Sequence, residues 1–212
     1  FTFCLNPGLK VGEVKEGEKP LDFKREEQIL AVDFGRKIEK GDTISLSICY
    51  EGRIKDDFCY LDIPEEVLQQ PYDKEMLKLD KKYSFQTPDY VLFTPETYWY
   101  PRPGTGYSDK SPDWQQTYFS RFRLDVKPLP GLVSISQSAN NPYQSISLII
   151  GKYEQKSVES DSTLYSVWHI KGHDYYEAAF DSIRDTIPGL IRNLRENLER
   201  TYKLSYPFDR FS

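Results

Sequence analysis

The sequence is poor in the residues from which most metal and nucleophilic centres are built. Its 212 residues include two histidines, three cysteines and one methionine. It contains no Cys-x-x-Cys pair, no glycine-rich phosphate loop and no Gly-x-Ser-x-Gly nucleophile motif. We therefore expect no catalytic residue and no metal site in this chain.

The charge and hydropathy patterns exclude two further classes of partner. The net charge is −5 and no block of Lys and Arg stands out, which argues against nucleic-acid binding, because that binding needs clustered cations. No apolar run of about 18 residues is present, so we expect no membrane-spanning segment. The sequence starts at Phe1 without a signal peptide and ends on the aromatic-rich Tyr206–Ser212. Both ends predict that the chain was cut from a longer polypeptide.

The three cysteines are Cys4, Cys49 and Cys59. Cys49 and Cys59 flank a predicted turn, where they could face each other. Because the count is odd and the chain is too long to need a disulfide framework, we favour free thiols that are buried or half-buried on strands.

Residues 1–172 read as short strands separated by turns. Aromatic residues make up 15% of the chain, which favours strands, and Thr43–Tyr50 alternates apolar and polar residues with a period of two. The pattern predicts nine or ten strands in an antiparallel β-sandwich, with 64–80 as a surface insertion. The clearest strands are expected at Leu21–Lys24, Gln28–Val32, Thr43–Tyr50, Phe58–Leu61, Phe119–Val126, Ser145–Ile150 and Thr163–His169.

The tail, residues 173–212, changes to a helical period. Its second half carries an apolar stripe at Leu190, Leu194 and Leu198, and Pro188 predicts a break into two helices or a new first turn after Thr186. The fold class predicted for the whole chain is therefore mostly β with a C-terminal helical segment.

The two histidines, His169 and His173, are four residues apart. On a helix this spacing can hold one zinc ion, but Ile170 stands where the glutamate of a zinc-peptidase motif belongs and Gly172 disfavours a helix. On a strand the two rings would lie about 13 Å apart. We expect a strand end and a helix entry here.

The densest aromatic cluster is Tyr98-Trp99-Tyr100-Pro101. Aromatic rings can stack on sugars or clamp peptides. The alternative is that at least one face of this segment belongs to the core.

Several phrases, taken together and in order, resemble the N-terminal domain of the M1 (gluzincin) aminopeptidase family, and in particular a bacterial, membrane-associated M1-like branch. The phrases are Cys4–Leu9, Ile44–Ile54, Tyr98–Pro101, Phe122–Gly131, Ile149–Tyr153 and Leu194–Phe208. The resemblance implies a saddle-like sandwich over 1–172, followed at 173–212 by the first helices of a truncated catalytic domain. Zinc is implied for that catalytic domain and no cofactor for the present residues.

The resemblance also implies a function and its partners. Expected is a non-catalytic domain of a zinc aminopeptidase that covers the active-site cleft and helps position the peptide N terminus, with the rest of the peptidase chain and the peptide as partners. We expect a soluble domain on the extracytoplasmic side of a membrane-associated bacterial protein. The leucine stripe would face the catalytic domain, leaving here an apolar patch prone to self-association.

The family carries a Gln or Glu shortly before its aromatic-Pro phrase, in contact with the amino terminus of the substrate. Glu96 precedes Trp99 here at a shorter spacing, so Glu96, Tyr98 and Trp99 are candidate substrate-binding residues. An ordinary surface glutamate is the alternative for Glu96. For the chain, the alternatives are a sandwich module that binds glycans or peptides, and an assembly domain of a peptidase-like protein without activity.

Overall fold

A computed structural model describes residues 1–56, 83–105, 119–135, 142–160, 162–175, 177–206 and 210–211. These residues are mostly β, in several antiparallel sheets, and the helical segment lies near the C terminus. The fold class predicted from the sequence is confirmed. No helix among the described residues is long and apolar enough to cross a membrane.

The described strands are short, and many have only two or three residues. In the first half of the chain they are β1 (Thr2–Cys4), β2 (Leu9–Glu16), β3 (Lys19–Pro20), β4 (Asp22–Glu26), β5 (Ile29–Asp33), β6 (Leu46–Gly52), β7 (Ser84–Gln86), β8 (Tyr90–Phe93) and β9 (Arg102–Pro103). In the second half they are β10 (Ser120–Arg121), β11 (Val133–Ile135), β12 (Pro142–Tyr143), β13 (Leu148–Gly151), β14 (Tyr153–Ser160), β15 (Thr163–Ile170) and β16 (Arg210–Phe211). The helices are α1 (Glu177–Ile183) and α2 (Ile187–Tyr202).

The chain divides into two compact units. Unit 1 comprises Phe1–Phe85 and Phe93–Thr117, and unit 2 comprises Gln86–Leu92 and Tyr118–Ser212. The boundary predicted between residues 172 and 173 concerns the domains of a longer protein, and it stays a prediction.

Unit 1 contains two antiparallel sheets, with strand orders β4-β5-β1-β9 and β3-β2-β6. Along β5 the buried residues are Leu30 and Val32, with less buried neighbours between them. That alternation agrees with the strand predicted at Gln28–Val32, and β5 pairs antiparallel with β4, which covers most of the strand predicted at Leu21–Lys24.

Strand β2 departs from a strict period of two, and its bulge explains why. Leu9, Val11 and Val14 are buried, yet Val14 is three residues after Val11. The register with β6 shifts between Val11 and Glu13. A bulge inserts one unpaired residue, so it returns Val14 to the core face.

Unit 2 is built on the β14–β15 hairpin and the two helices. The hairpin has eight residue pairs, from Tyr153–Ile170 to Ser160–Thr163. Helix α2 begins at Ile187 with Pro188 in its first turn and ends at Lys203, whose left-handed backbone lets its N–H donate to the carbonyl of Glu199. The two helices and the break before Pro188 are as predicted.

Other predicted elements have mixed outcomes. The strand expected at Phe119–Val126 is wrong in length: only Ser120–Arg121 forms a ladder, with β12, and residues 122–126 lie outside the described strands. Cys4 is buried on a strand as expected, whereas Cys49 is a free thiol that is exposed rather than half-buried. Cys59, the strand at Phe58–Leu61 and the insertion at 64–80 lie outside the described residues.

Candidate functional site

The predicted site residues lie on a tight turn that follows β8. The strand ends at Phe93, and Pro95 starts a one-turn 3₁₀-helix, Pro95–Thr97. Proline suits a helix start because it has no N–H to satisfy. The hydroxyl of Thr97 donates to the carbonyl of Thr94 at 2.7 Å, and Tyr98, which closes the turn, has a φ of 50°. The segment that carries the predicted site residues is therefore a turn.

A buried asparagine from a distant part of the chain holds this turn. Asn6 is 1% exposed, and its backbone N–H donates to the carbonyl of Tyr98 at 2.9 Å. Its side-chain Nδ2 donates to the carbonyls of Thr97 and Lys55, each at 3.1 Å. Its Oδ1 accepts from the N–H groups of Gly8 and Lys55, each at 2.9 Å. One side chain thus joins three segments of unit 1.

The side chain of Arg25 holds the backbone of residues 5 and 6 in place. The guanidinium donates to the carbonyl of Leu5 at 2.7 Å and to that of Asn6 at 2.9 Å. Neither Asn6 nor Arg25 was expected from the sequence to be a functional or structural centre. The sequence did contain one sign of a turn at this place, the segment Asn-Pro-Gly at 6–8.

The three candidate residues share this turn but differ in burial. Glu96 is exposed, whereas Tyr98 is 4% and Trp99 is 9% exposed. The Trp99 ring packs edge-on against Tyr100 with centroids 4.8 Å apart, and the guanidinium of Arg102 lies 5.3 Å from the centre of the Tyr98 ring. The two buried rings support the turn from the core side, and the Glu96 carboxylate is the part of the trio that is open to solvent. Substrate binding by these residues stays a prediction.

The two histidines lie in different surroundings. His169 is buried near the end of β15, and His173 is exposed after the following turn. Among the residues that the structure describes, no group of three or more His, Cys, Asp and Glu side chains converges. These residues do not fit a zinc ion.

A second candidate site lies within unit 2, where α2 packs beside the β14–β15 hairpin. Between them is an open apolar groove of about 530 Å³, which we call the α2 groove. Its walls are lined by Val158, Tyr165, Ser166, Val167, Phe180, Ile187, Ile191, Leu194, Arg195, Leu198, Glu199, Tyr202, Leu204, Ser205 and Tyr206. The volume is typical of a small-ligand pocket, and almost all of the lining is aliphatic or aromatic.

Two charged side chains at the edge of the groove, Arg195 and Glu199, form an ion pair with each other. Arg195 Nε lies 3.0 Å from Glu199 Oε1, and Arg195 also donates to the hydroxyl of Thr163 at 3.1 Å. The backbone N–H of Tyr206 donates to the same Glu199 oxygen at 2.7 Å. This N–H and the Arg195 guanidinium lower the pKa of Glu199 below its ordinary value of 4.5. Glu199 therefore fastens the chain that leaves α2.

The leucine stripe that the sequence placed on α2 is exposed, as predicted. Leu190, Leu194 and Leu198 are 60%, 62% and 48% exposed, whereas Ile191 and Arg195, on the neighbouring face, are less exposed. The stripe was visible in the sequence. The groove beside it was not, because half of its wall comes from the hairpin.

Comparison with known proteins gives no family assignment. Neither the protein-family models nor the curated proteins that were searched contain a match to this chain.

Proposed function

We propose that this chain is a non-catalytic N-terminal domain of an M1-like zinc aminopeptidase, in which it covers one side of the active-site cleft and helps to position the N terminus of a peptide. Support comes from the six ordered sequence phrases that resemble that family and from a mostly β fold that ends in two helices. We further propose that the longer protein is bacterial and membrane-associated, with this domain on the extracytoplasmic side.

The observation that carries the proposal is the presentation of Glu96. Its carboxylate is exposed on a turn whose carbonyl groups are held by Asn6 and whose aromatic side chains are buried. A carboxylate on a fixed backbone can pair with a peptide ammonium without a large loss of backbone entropy. Closure of a cleft over the pair would remove water from it and strengthen the contact.

In this proposal the zinc ion is bound by residues outside this chain. Its described residues offer no ligand set, so the metal and the water it activates belong to other residues of the longer protein. This chain contributes binding and orientation of the substrate.

Kinetics of the longer protein test the role of Glu96. We expect Glu96→Ala to raise KM for a peptide about tenfold, the effect of losing one charge-assisted hydrogen bond, while kcat stays nearly constant. Blocking the peptide amine by acetylation should remove the difference between the variant and the native protein. Glu18→Ala, which removes another exposed carboxylate of unit 1, is the matched control. An unchanged kcat/KM in Glu96→Ala would contradict the proposal.

An assembly domain of an inactive peptidase-like protein is the second candidate, and the exposed apolar face of α2 favours it. The sequence of the longer protein separates the two, because an active enzyme requires a His-Glu-x-x-His motif and a later Glu. A glycan-binding module is less favoured. Its platform was expected from Tyr98 and Trp99, and both rings are buried.

A further inference from the structure

Helix α2 carries a continuous apolar ridge on its exposed side. The ridge consists of Leu190, Leu194, Leu198 and Tyr202, each at least 48% exposed. Residues four apart on a helix lie one above the other on the same face, so the four side chains form a single row. At ~1.5 Å per residue, the row extends about 18 Å along α2.

The ridge borders the α2 groove. Leu194, Leu198 and Tyr202 belong to both, since they form the lip between the exposed row and the groove wall that continues to Tyr165 and Val167. A ridge next to a groove on one surface is complementary to itself, because a two-fold rotation sets each ridge against the other groove.

We propose that a second copy of this chain covers the α2 groove, with the two α2 helices antiparallel and each ridge seated in the groove of the other copy. Antiparallel packing also aligns the helix dipoles favourably. With the two-fold axis at the centre of the row, Leu194 lies level with Leu198 of the second copy, and Leu190 lies level with Tyr202 of the second copy. The inference does not rest on the proposed function and differs from it at this face: the resemblance expects the stripe to face the catalytic domain, whereas we place a second copy of the chain there.

The charges around the groove are consistent with a self-pairing surface. Arg195 is paired with Glu199, and Lys156 Nζ lies 2.8 Å from Asp181 Oδ2. Each charge is thus compensated within its own copy. Asn193 and Asn197 are the neutral α2 residues on the flank of the ridge away from the groove. A second copy therefore brings no like charges together along the apolar row.

The exposed area is sufficient for a weak dimer. Besides the four ridge residues, Ile183 and Leu204 are 48% and 72% exposed. At roughly 150–200 Å² for a fully exposed large apolar side chain, the six residues leave about 550–700 Å² on each copy. A patch of this size lies at or above the upper end of what monomers usually expose, and burying it on both copies reaches the lower end of the range for stable interfaces, about 1,200 Å² in total. We therefore expect a dimer that dissociates on dilution.

Sedimentation velocity of the chain from about 2 to 200 µM tests this inference. The expected result is a shift from a species of 24.8 kDa to one of twice that mass, with no weakening between 0.1 and 0.5 M NaCl, because apolar contacts are not screened. Leu194→Glu places a carboxylate in the apolar row of each copy and should raise the dissociation constant at least tenfold. Leu190→Glu is a second variant on the ridge. Both side chains are exposed, so far-ultraviolet circular dichroism should stay unchanged.

The matched control is Leu129→Glu, which makes the same chemical change at a leucine of unit 2 that is 74% exposed and lies outside the groove and the ridge. It should dimerise like the native chain. A monomer at every concentration overturns the inference, and so does a dimer that both ridge variants leave intact. One-to-one binding of decanoate by a monomeric chain would also overturn it and assign the groove to a small apolar ligand instead.

Discussion

At the scale of single residues, Asn6 does most to organise unit 1. Its amide uses both polar atoms, with Nδ2 donating twice and Oδ1 accepting twice. All four partners are backbone groups of Gly8, Lys55 and Thr97, and the side chain is fully enclosed. Removing it would leave those backbone groups buried and short of hydrogen bonds, which costs more than the bonds themselves contribute.

Asn6→Ala is therefore expected to lower the free energy of unfolding by about 2–4 kcal/mol. Urea unfolding followed by tryptophan fluorescence measures the change, since Trp99 lies in the same unit and is buried. Asn193→Ala, at an exposed position of α2, is the control and should stay within about 0.5 kcal/mol of the native chain. Equal effects of the two substitutions would show that the Asn6 bonds contribute little.

At the scale of elements, the end of α2 depends on an ionised carboxylate. Glu199 accepts hydrogen bonds from the N–H of Tyr206 and from Arg195, and its pKa is lowered chiefly by the first of these. A group whose folded pKa is depressed stabilises the fold above its unfolded pKa, and that contribution is lost as the pH falls through the folded pKa. The exit from α2 should therefore loosen in acid.

We expect Glu199→Gln to flatten the dependence of stability on pH below about 5, while the glutamine oxygen keeps an acceptor for both donors. The measurement is the thermal midpoint of the helical circular dichroism signal between pH 6 and 3, compared with Glu196→Gln, a neighbouring exposed carboxylate. If both variants keep the native slope, the Glu199 contacts do not govern the acid response.

At the scale of the whole molecule, the absence of metal-ligand and nucleophile motifs from the sequence predicts that this chain alone has no catalytic activity. We expect the purified chain to release no product from an aminoacyl-p-nitroanilide and to retain less than about 0.1 equivalent of zinc after dialysis, because a zinc centre needs three or four convergent ligands. Atomic absorption measures the metal. One equivalent of zinc that is lost in His169→Ala would contradict this prediction.

Features that depend on residues close together in the sequence could be predicted, and features that depend on distant residues could not. The alternation at Gln28–Val32 and the helix break at Pro188 depend on neighbours in sequence, and both are confirmed. The Asn6 contacts join residues 49 and 91 positions apart, and no local pattern encodes such pairings. Phe119–Val126 has the alternation of a strand, and its apolar face is the more buried one. Only Ser120–Arg121 nevertheless forms a described ladder, so the alternation alone did not give the length of the strand.

The long-range bonds of Asn6 also determine when unit 1 can fold during synthesis. Strand β1 pairs with β9 through Cys4 and Arg102, so this edge of β1 stays unpaired until almost a hundred further residues have been synthesised. At a translation rate of ~5–20 residues per second, that interval is roughly 5–20 s. Throughout it, Cys4, Leu5 and Leu30, which are fully buried in the finished molecule, remain available to chaperones and to other nascent chains. The N-terminal strand should therefore be the segment of unit 1 most dependent on chaperones in the cell.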